Sequence, residues 1–170
     1  INADGLLQRG AELGGYYKNL YLAAEAFDYQ LDRSAAGKPD ASFGGWYAQA
    51  AWALTKEQRL WTPATGGFRG LRPAKPFDPA TGACGAWELA ARYSVLDLND
   101  LEGAAGTALP TNGVRGGEQR ITTVGLNWYP NQTVRFILDY QNAQVDRLNN
   151  AGAQVGEDFQ TVSFRSQFAF

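Results

Sequence analysis

The 170-residue chain is 45% hydrophobic, yet its mean hydropathy is −0.34 and its net charge −2, so apolar residues are interleaved with polar ones. It has no histidine and one cysteine, Cys84, which excludes His/Cys metal centres, Ser-His or Cys-His catalysis and an internal disulfide. The acidic balance argues against a nucleic-acid partner, and the longest nearly apolar run, Ala41–Leu54, falls short of the roughly 18–20 residues a spanning helix needs.

In chain order, the dominant signal is period-2 alternation, which predicts strands with two differently solvated faces. Leu7–Tyr17 sets Leu7, Ala11, Leu13 and Tyr17 against Gln8, Glu12 and Tyr16. Arg9 falls on the apolar side, either near a membrane rim or at a bulge. After a Lys18-Asn19 turn, Leu20–Arg33 sets Leu22, Ala24 and Ala26 against Tyr21, Glu25, Phe27 and Tyr29. A loop at Ser34–Ala41 leads to Ser42–Leu54, where Trp46, Ala48, Ala50, Trp52 and Leu54 oppose Tyr47 and Gln49. Thr55–Cys84 carries four prolines and several glycines, which argue against regular structure.

Alternation then resumes. Ala86–Asp97 sets Trp87, Leu89, Ala91, Tyr93 and Val95 against Glu88, Arg92 and Ser94, and a loop follows at Asn99–Glu118. In Arg120–Tyr129, Thr122, Val124, Leu126 and Trp128 oppose Thr123, Gly125 and Asn127. A Pro130-Asn131 turn opens Gln132–Asp146, with Val134, Phe136, Leu138 and Tyr140 opposite Thr133, Arg135, Asp139 and Gln141. Ile137 breaks that polar row. Past the Arg147–Glu157 loop, Asp158–Phe170 alternates Val162, Phe164, Phe168 and Phe170 with Thr161, Ser163, Arg165 and Gln167.

A soluble sandwich would also alternate. Three features favour lipid outside. The apolar faces carry Tyr17, Trp52, Trp87, Trp128 and Phe170 toward the short-turn ends, as a membrane aromatic girdle does. The opposite faces carry mid-strand charges (Glu12, Glu25, Glu88, Arg92, Arg135, Asp139, Arg165) that a dry core rejects and a watery lumen accepts. Short turns alternate with long loops, and the chain closes on a terminal aromatic resembling an outer-membrane assembly signal. The expected fold class is therefore all-β, a transmembrane antiparallel up-and-down β-barrel represented by about seven strands. Residues 1–170 would form one portion of a single barrel domain, with 55–84 as a long periplasmic connection.

Four stretches carry a more specific likeness: Ala11-Glu12-Leu13-Gly14-Gly15-Tyr16, Gly44–Thr55, Gly85–Asp100 and Thr123–Tyr129. Together they resemble the phosphate- and polyphosphate-selective porin family of Gram-negative outer membranes. Lys56-Glu57 departs from the Gly-Glu common in that family. The resemblance implies a homotrimer of sixteen-stranded barrels, with these seven strands as the last seven and the constriction loop in the part that precedes them. It further implies an outer-membrane location, a surrounding lipid bilayer and lipopolysaccharide, small anions as solutes, and no cofactor. The chain has no methionine, opens on Ile1 and shows no basic-then-apolar leader, so a processed or partial product is expected.

Strand parity points Arg92, Arg135 and Arg165 into the lumen. They would either attract anions along the wall or pair with Glu12, Glu25, Glu88 or Asp139. Thr55–Cys84 holds Lys56, Arg59, Arg69, Arg72 and Lys75 against Glu57 and Asp78, a net +3. That segment would either concentrate anions at a barrel mouth or serve as a structural flap or periplasmic contact, and Arg59, Arg69, Arg72 and Lys75 join the anion-pathway candidates. No catalytic pair or metal site is expected. The functional expectation is a porin passing small anions, phosphate or polyphosphate among them, by passive diffusion. A non-transporting structural or adhesin barrel is the alternative.

Overall fold

The computed structural model describes residues 3–34 and 38–169. Strands β1 (Ala3–Tyr17), β2 (Leu20–Arg33) and β3 (Ala41–Ala53) are followed by two-residue β4 (Trp61–Thr62) and β5 (Gly67–Phe68). Then come β6 (Ala86–Asp100), β7 (Val114–Tyr129), β8 (Val134–Asp146) and β9 (Phe159–Phe168). Seven of these build one antiparallel sheet in the order β1-β2-β3-β6-β7-β8-β9, while β4 and β5 pair separately. Each long strand neighbours its predecessor in the sheet. This is an up-and-down meander left open at β1 and β9, the form of a partial barrel wall.

The register turns the alternation into continuous rows. Tyr17, Leu20, Trp52, Leu89, Leu126, Leu138 and Phe164 are successive cross-strand partners, an apolar row through all seven strands. The next row is Tyr16, Tyr21, Ala51, Ala90, Gly125, Asp139 and Ser163, on the opposite face. A sandwich would cover the apolar face with a second sheet. Here Leu13, Trp52, Leu138 and Phe164 stay 78%, 51%, 48% and 69% exposed, and no second large sheet lies over them among the described residues. So extended an apolar band marks a face that meets an apolar partner, and its alternation with a polar face matches the lipid-facing side of a membrane barrel.

At the short-turn end the outward rings form a ladder. Trp87, Trp128, Phe136 and Phe164 stack in sequence with centroids 5.5, 5.6 and 6.0 Å apart. Offset ring pairs of this kind contribute about 0.5–1.5 kcal/mol each beyond area burial. Phe170, read from sequence as part of this girdle, lies outside the described residues.

The turns are set locally. Lys18 adopts φ 53°, and Asn19 donates its side-chain amide to the Ala53 carbonyl at 2.8 Å, pinning the β1–β2 turn to the end of β3. Between β7 and β8 the connection is 130–133, longer than the two residues expected. Asn131 Oδ1 there accepts from the Thr133 amide and hydroxyl and the Val134 amide, an Asx turn that delays strand pairing. Arg9 sits in unbroken register opposite Asp28, because the β1–β2 irregularity lies at Ala3/Gly5. Of the two explanations for Arg9, this excludes the bulge. Both β6 and β7 run further into the long loop than the alternation indicated, to Asp100 and back to Val114. The expected Ser34–Ala41 loop includes 35–37, which lie outside the described residues.

Candidate functional site

The long connection after β3 folds back onto the inner face of the sheet. Pro63 starts a single 3₁₀ turn, and Gly66, at φ 59° and ψ 32°, ends it by taking the left-handed conformation that a side chain disfavours. The resulting small hairpin places Phe68 against Tyr21 (4.9 Å between centroids), Trp61 (5.0 Å) and Tyr16 (6.1 Å). Leu71 is buried with Ala53, Ala86 and Tyr129. Small inward residues at the short-turn end (Ala51, Ala53, Ala86, Ala90, Gly125) leave the space that the flap fills. The chain then crosses the rim: the Phe77 amide donates to the Pro130 carbonyl (2.7 Å), and Trp128 Nε1 donates to the Cys84 carbonyl (2.8 Å) on the outward side.

The anchor of the flap is Glu88, whose side chain is 1% exposed. Arg59 grips it with two charge-assisted bonds, Nε to Oε2 at 2.7 Å and Nη2 to Oε1 at 2.6 Å. Asn127 Nδ2 adds a third bond at 2.9 Å, and the Tyr129 hydroxyl lies 3.4 Å from the same carboxylate. Burial disfavours the Arg59 charge, but the hydrogen bond and charge of Glu88 outweigh it and hold the proton above the ordinary arginine value. Arg59 was a candidate for the anion path; its charge is spent on Glu88, so its role in this geometry is to fasten the flap.

The wall arginines are held differently. Arg92 lies flat on Tyr47, 3.6 Å from the ring centroid, and donates to Gln49 Oε1 at 3.4 Å. Arg135 donates to Asn127 Oδ1 at 3.0 Å and sits 5.1 Å from the centre of the Tyr129 ring. Aromatic faces and amide oxygens orient both groups without a direct ion pair. Among the described residues the ion pairs are Arg33–Asp100, Arg59–Glu88 and those of Arg120 with Glu118 and Asp146. Neither Arg92 nor Arg135 takes the carboxylate partner that sequence parity left open. Arg165 follows the same parity on β9, with Ile137 as its cross-strand partner, and is exposed at the sheet edge.

On the flap, Arg69 and Arg72 are exposed and line one cavity of about 240 Å³ together with Arg135. Lys75 is exposed a few residues further on, apart from that cavity. The structure thus brings three candidates together, Arg135 with Arg69 and Arg72, and leaves Arg92 and Arg165 as separate positions along the wall.

Two structural arginines escaped sequence reading. Arg115, 6% exposed, donates to the carbonyls of Glu102, Ala104, Thr107 and Asn149, stapling the loops at 101–113 and 147–158 to each other. Arg33 donates to the Asn112 carbonyl at 2.8 Å and pairs with Asp100. A carbonyl cage has no sequence signature, because any residue type supplies the acceptor. The Glu88 network did have one, a mid-strand acid on a polar row, but nothing in the spacing named Arg59 as its partner.

A family model described as phosphate-selective porin O and P matches residues 1–170. Porin O of Pseudomonas aeruginosa is 32% identical over 132 residues, covering 77% of this chain and 28% of its own length. An uncharacterized protein of Caulobacter vibrioides is 35% identical over 149 residues, 81% of this chain and 27% of its own. The chain therefore spans a little over a quarter of the length of these relatives.

Proposed function

Because the chain belongs to the phosphate-selective porin O and P family, we propose that it forms part of a water-filled outer-membrane channel for small anions, phosphate foremost and polyphosphate included, which cross it by passive diffusion. In this reading the inner face of the sheet lines the lumen and the apolar rows meet lipid and lipopolysaccharide. The flap sits at the periplasmic mouth. The remaining strands belong to the same barrel, about nine more to reach sixteen, and three barrels associate.

The observation that carries the proposal is the state of Arg92 and Arg135. Two guanidinium groups, held against rings on the polar face, form no ion pair with a carboxylate among the described residues, although Asp139 lines the same cavity as Arg92. A low-dielectric wall focuses the field of such charges into the lumen, so they govern local anion concentration despite a net charge of −2. Arg165 adds a third cation on the same face.

Reversal potentials of the full-length protein in a salt gradient test this. The wild type should prefer anions, and changing Arg92, Arg135 and Arg165 together to Gln should weaken that preference most at low salt, where screening is least. Cation preference in the wild type would overturn the proposal, and the absence of channel activity would favour a structural barrel.

A further inference from the structure

We propose that the cleft between the flap and the barrel wall is an oxyanion site for free inorganic phosphate, and that the bound anion ties the flap to the wall. The inference rests on the reading of the inner face as an anion-accessible lumen. The cleft's polar lining comes from Arg69 and Arg72 of the flap, Gln132 and Thr133 of the β7–β8 turn, Arg135 of β8 and Gln167 of β9, with the Tyr129 ring beside them. Three arginines line this open cleft of about 240 Å³, and no carboxylate lines it. Since a water's share of liquid is about 30 Å³, an oxyanion fits with part of its hydration shell.

The cleft is organised before any anion arrives. Leu71, 4% exposed, is buried against Ala53, Ala86 and Tyr129, which fixes the backbone between the two flap arginines. Gly70 lets that backbone approach the Tyr129 ring: a Cβ there would stand 3.3 Å from the ring edge. Across the cleft, Arg135 is steadied by Asn127 and Tyr129, while its Nε is buried with no hydrogen-bond partner. A buried donor without an acceptor is costly and calls for one. Glu57 shares a neighbouring cavity with Arg69 and Arg72 and accepts from the Ala74 amide, and it forms no ion pair with either of them. Like charges on two separate elements repel until an anion lies between them. The planar fork of arginine suits the paired oxygens of phosphate.

Hydrogen exchange of the full-length protein in detergent, in phosphate or chloride at equal ionic strength, tests the site. With phosphate about 100-fold above its dissociation constant, opening that requires its release should slow by about 100-fold. Amides at 69–75 should therefore gain protection in phosphate. The gain should be lost in Arg69→Gln/Arg72→Gln and kept in Lys38→Gln, an exposed charge outside the cleft. Equal exchange in the two salts, or protection that survives the double substitution, would overturn the site. Reversal potentials on the same samples separate the two proposals. Anion preference without phosphate protection removes the site alone; protection without anion preference removes the channel reading and leaves the site.

Discussion

Replacing Arg59 by Ala tests whether Glu88 is the anchor of the flap. The substitution removes two bonds of 2.6 and 2.7 Å and leaves the carboxylate, 1% exposed, with only Asn127 and the more distant Tyr129 hydroxyl. Charge-assisted bonds contribute about 1.5–3 kcal/mol each, offset in part by desolvation. Breaking a buried pair from one side costs about 3–5 kcal/mol, because the remaining charge is buried without its partner. The side chain of Arg59 is 18% exposed, so solvent screens little of this.

The loss should be local. The part of the flap on the inner face is held by Arg59, Phe68 and Leu71, whereas its crossing of the rim at Phe77 and Cys84 and the strand ladders keep their own bonds. An opening free energy lowered by about 3–5 kcal/mol makes the detached flap roughly two to three and a half orders of magnitude more populated. Tryptic cleavage after Arg69 in the full-length protein, the flap bond there that no proline follows, reads that population directly when opening and reclosing are fast. Adding Glu88→Gln should recover a large part of the loss, since no buried charge then lacks a partner. Cleavage unchanged in Arg59→Ala, or no recovery in the double variant, would refute the anchor.

Gly85→Ala should destabilise the full-length protein by about 2–4 kcal/mol, read as a lower urea midpoint, because strain and overpacking add there. Gly85 has φ +71°, and its Cβ would fall 2.4 Å from the Tyr129 carbonyl oxygen. Arg115→Ala strips donors from four carbonyls and should expose 101–113 and 147–158 to limited proteolysis while leaving conductance unchanged. Cys introduced at the exposed Ala64, in a Cys84→Ser background, should resist an impermeant reagent on intact cells and react after the outer membrane is permeabilised. Labelling of intact cells would reverse the orientation proposed for the flap.

The strands and their two faces were legible in the sequence. Alternation has a period of 2, and a slip of one residue would turn Leu126 or Leu138 from lipid toward the polar face, so the pattern specifies its own register. The distinction between wall and sandwich was legible in part: charges such as Arg92 and Asp139 in mid-strand indicate water on that face. Turn chemistry at 130–133 was misjudged by two residues because Asn131 competes with the strand for the Thr133 and Val134 amides.

What only the tertiary structure decided is where a cation's charge goes. Fifteen lysines and arginines look alike as letters. Arg59 ends on a buried acid, Arg115 in a cage of carbonyls, Arg92 on a tyrosine ring, and Arg69, Arg72 and Arg135 around one cleft. The partners lie 29 residues away for Arg59 and up to 34 for Arg115. They are joined by a flap and by loops whose paths have no periodicity to read. Spacing determines neighbours within a strand or between paired strands; across an irregular segment, packing alone determines them, and whether a charge remains free for an anion follows from that packing.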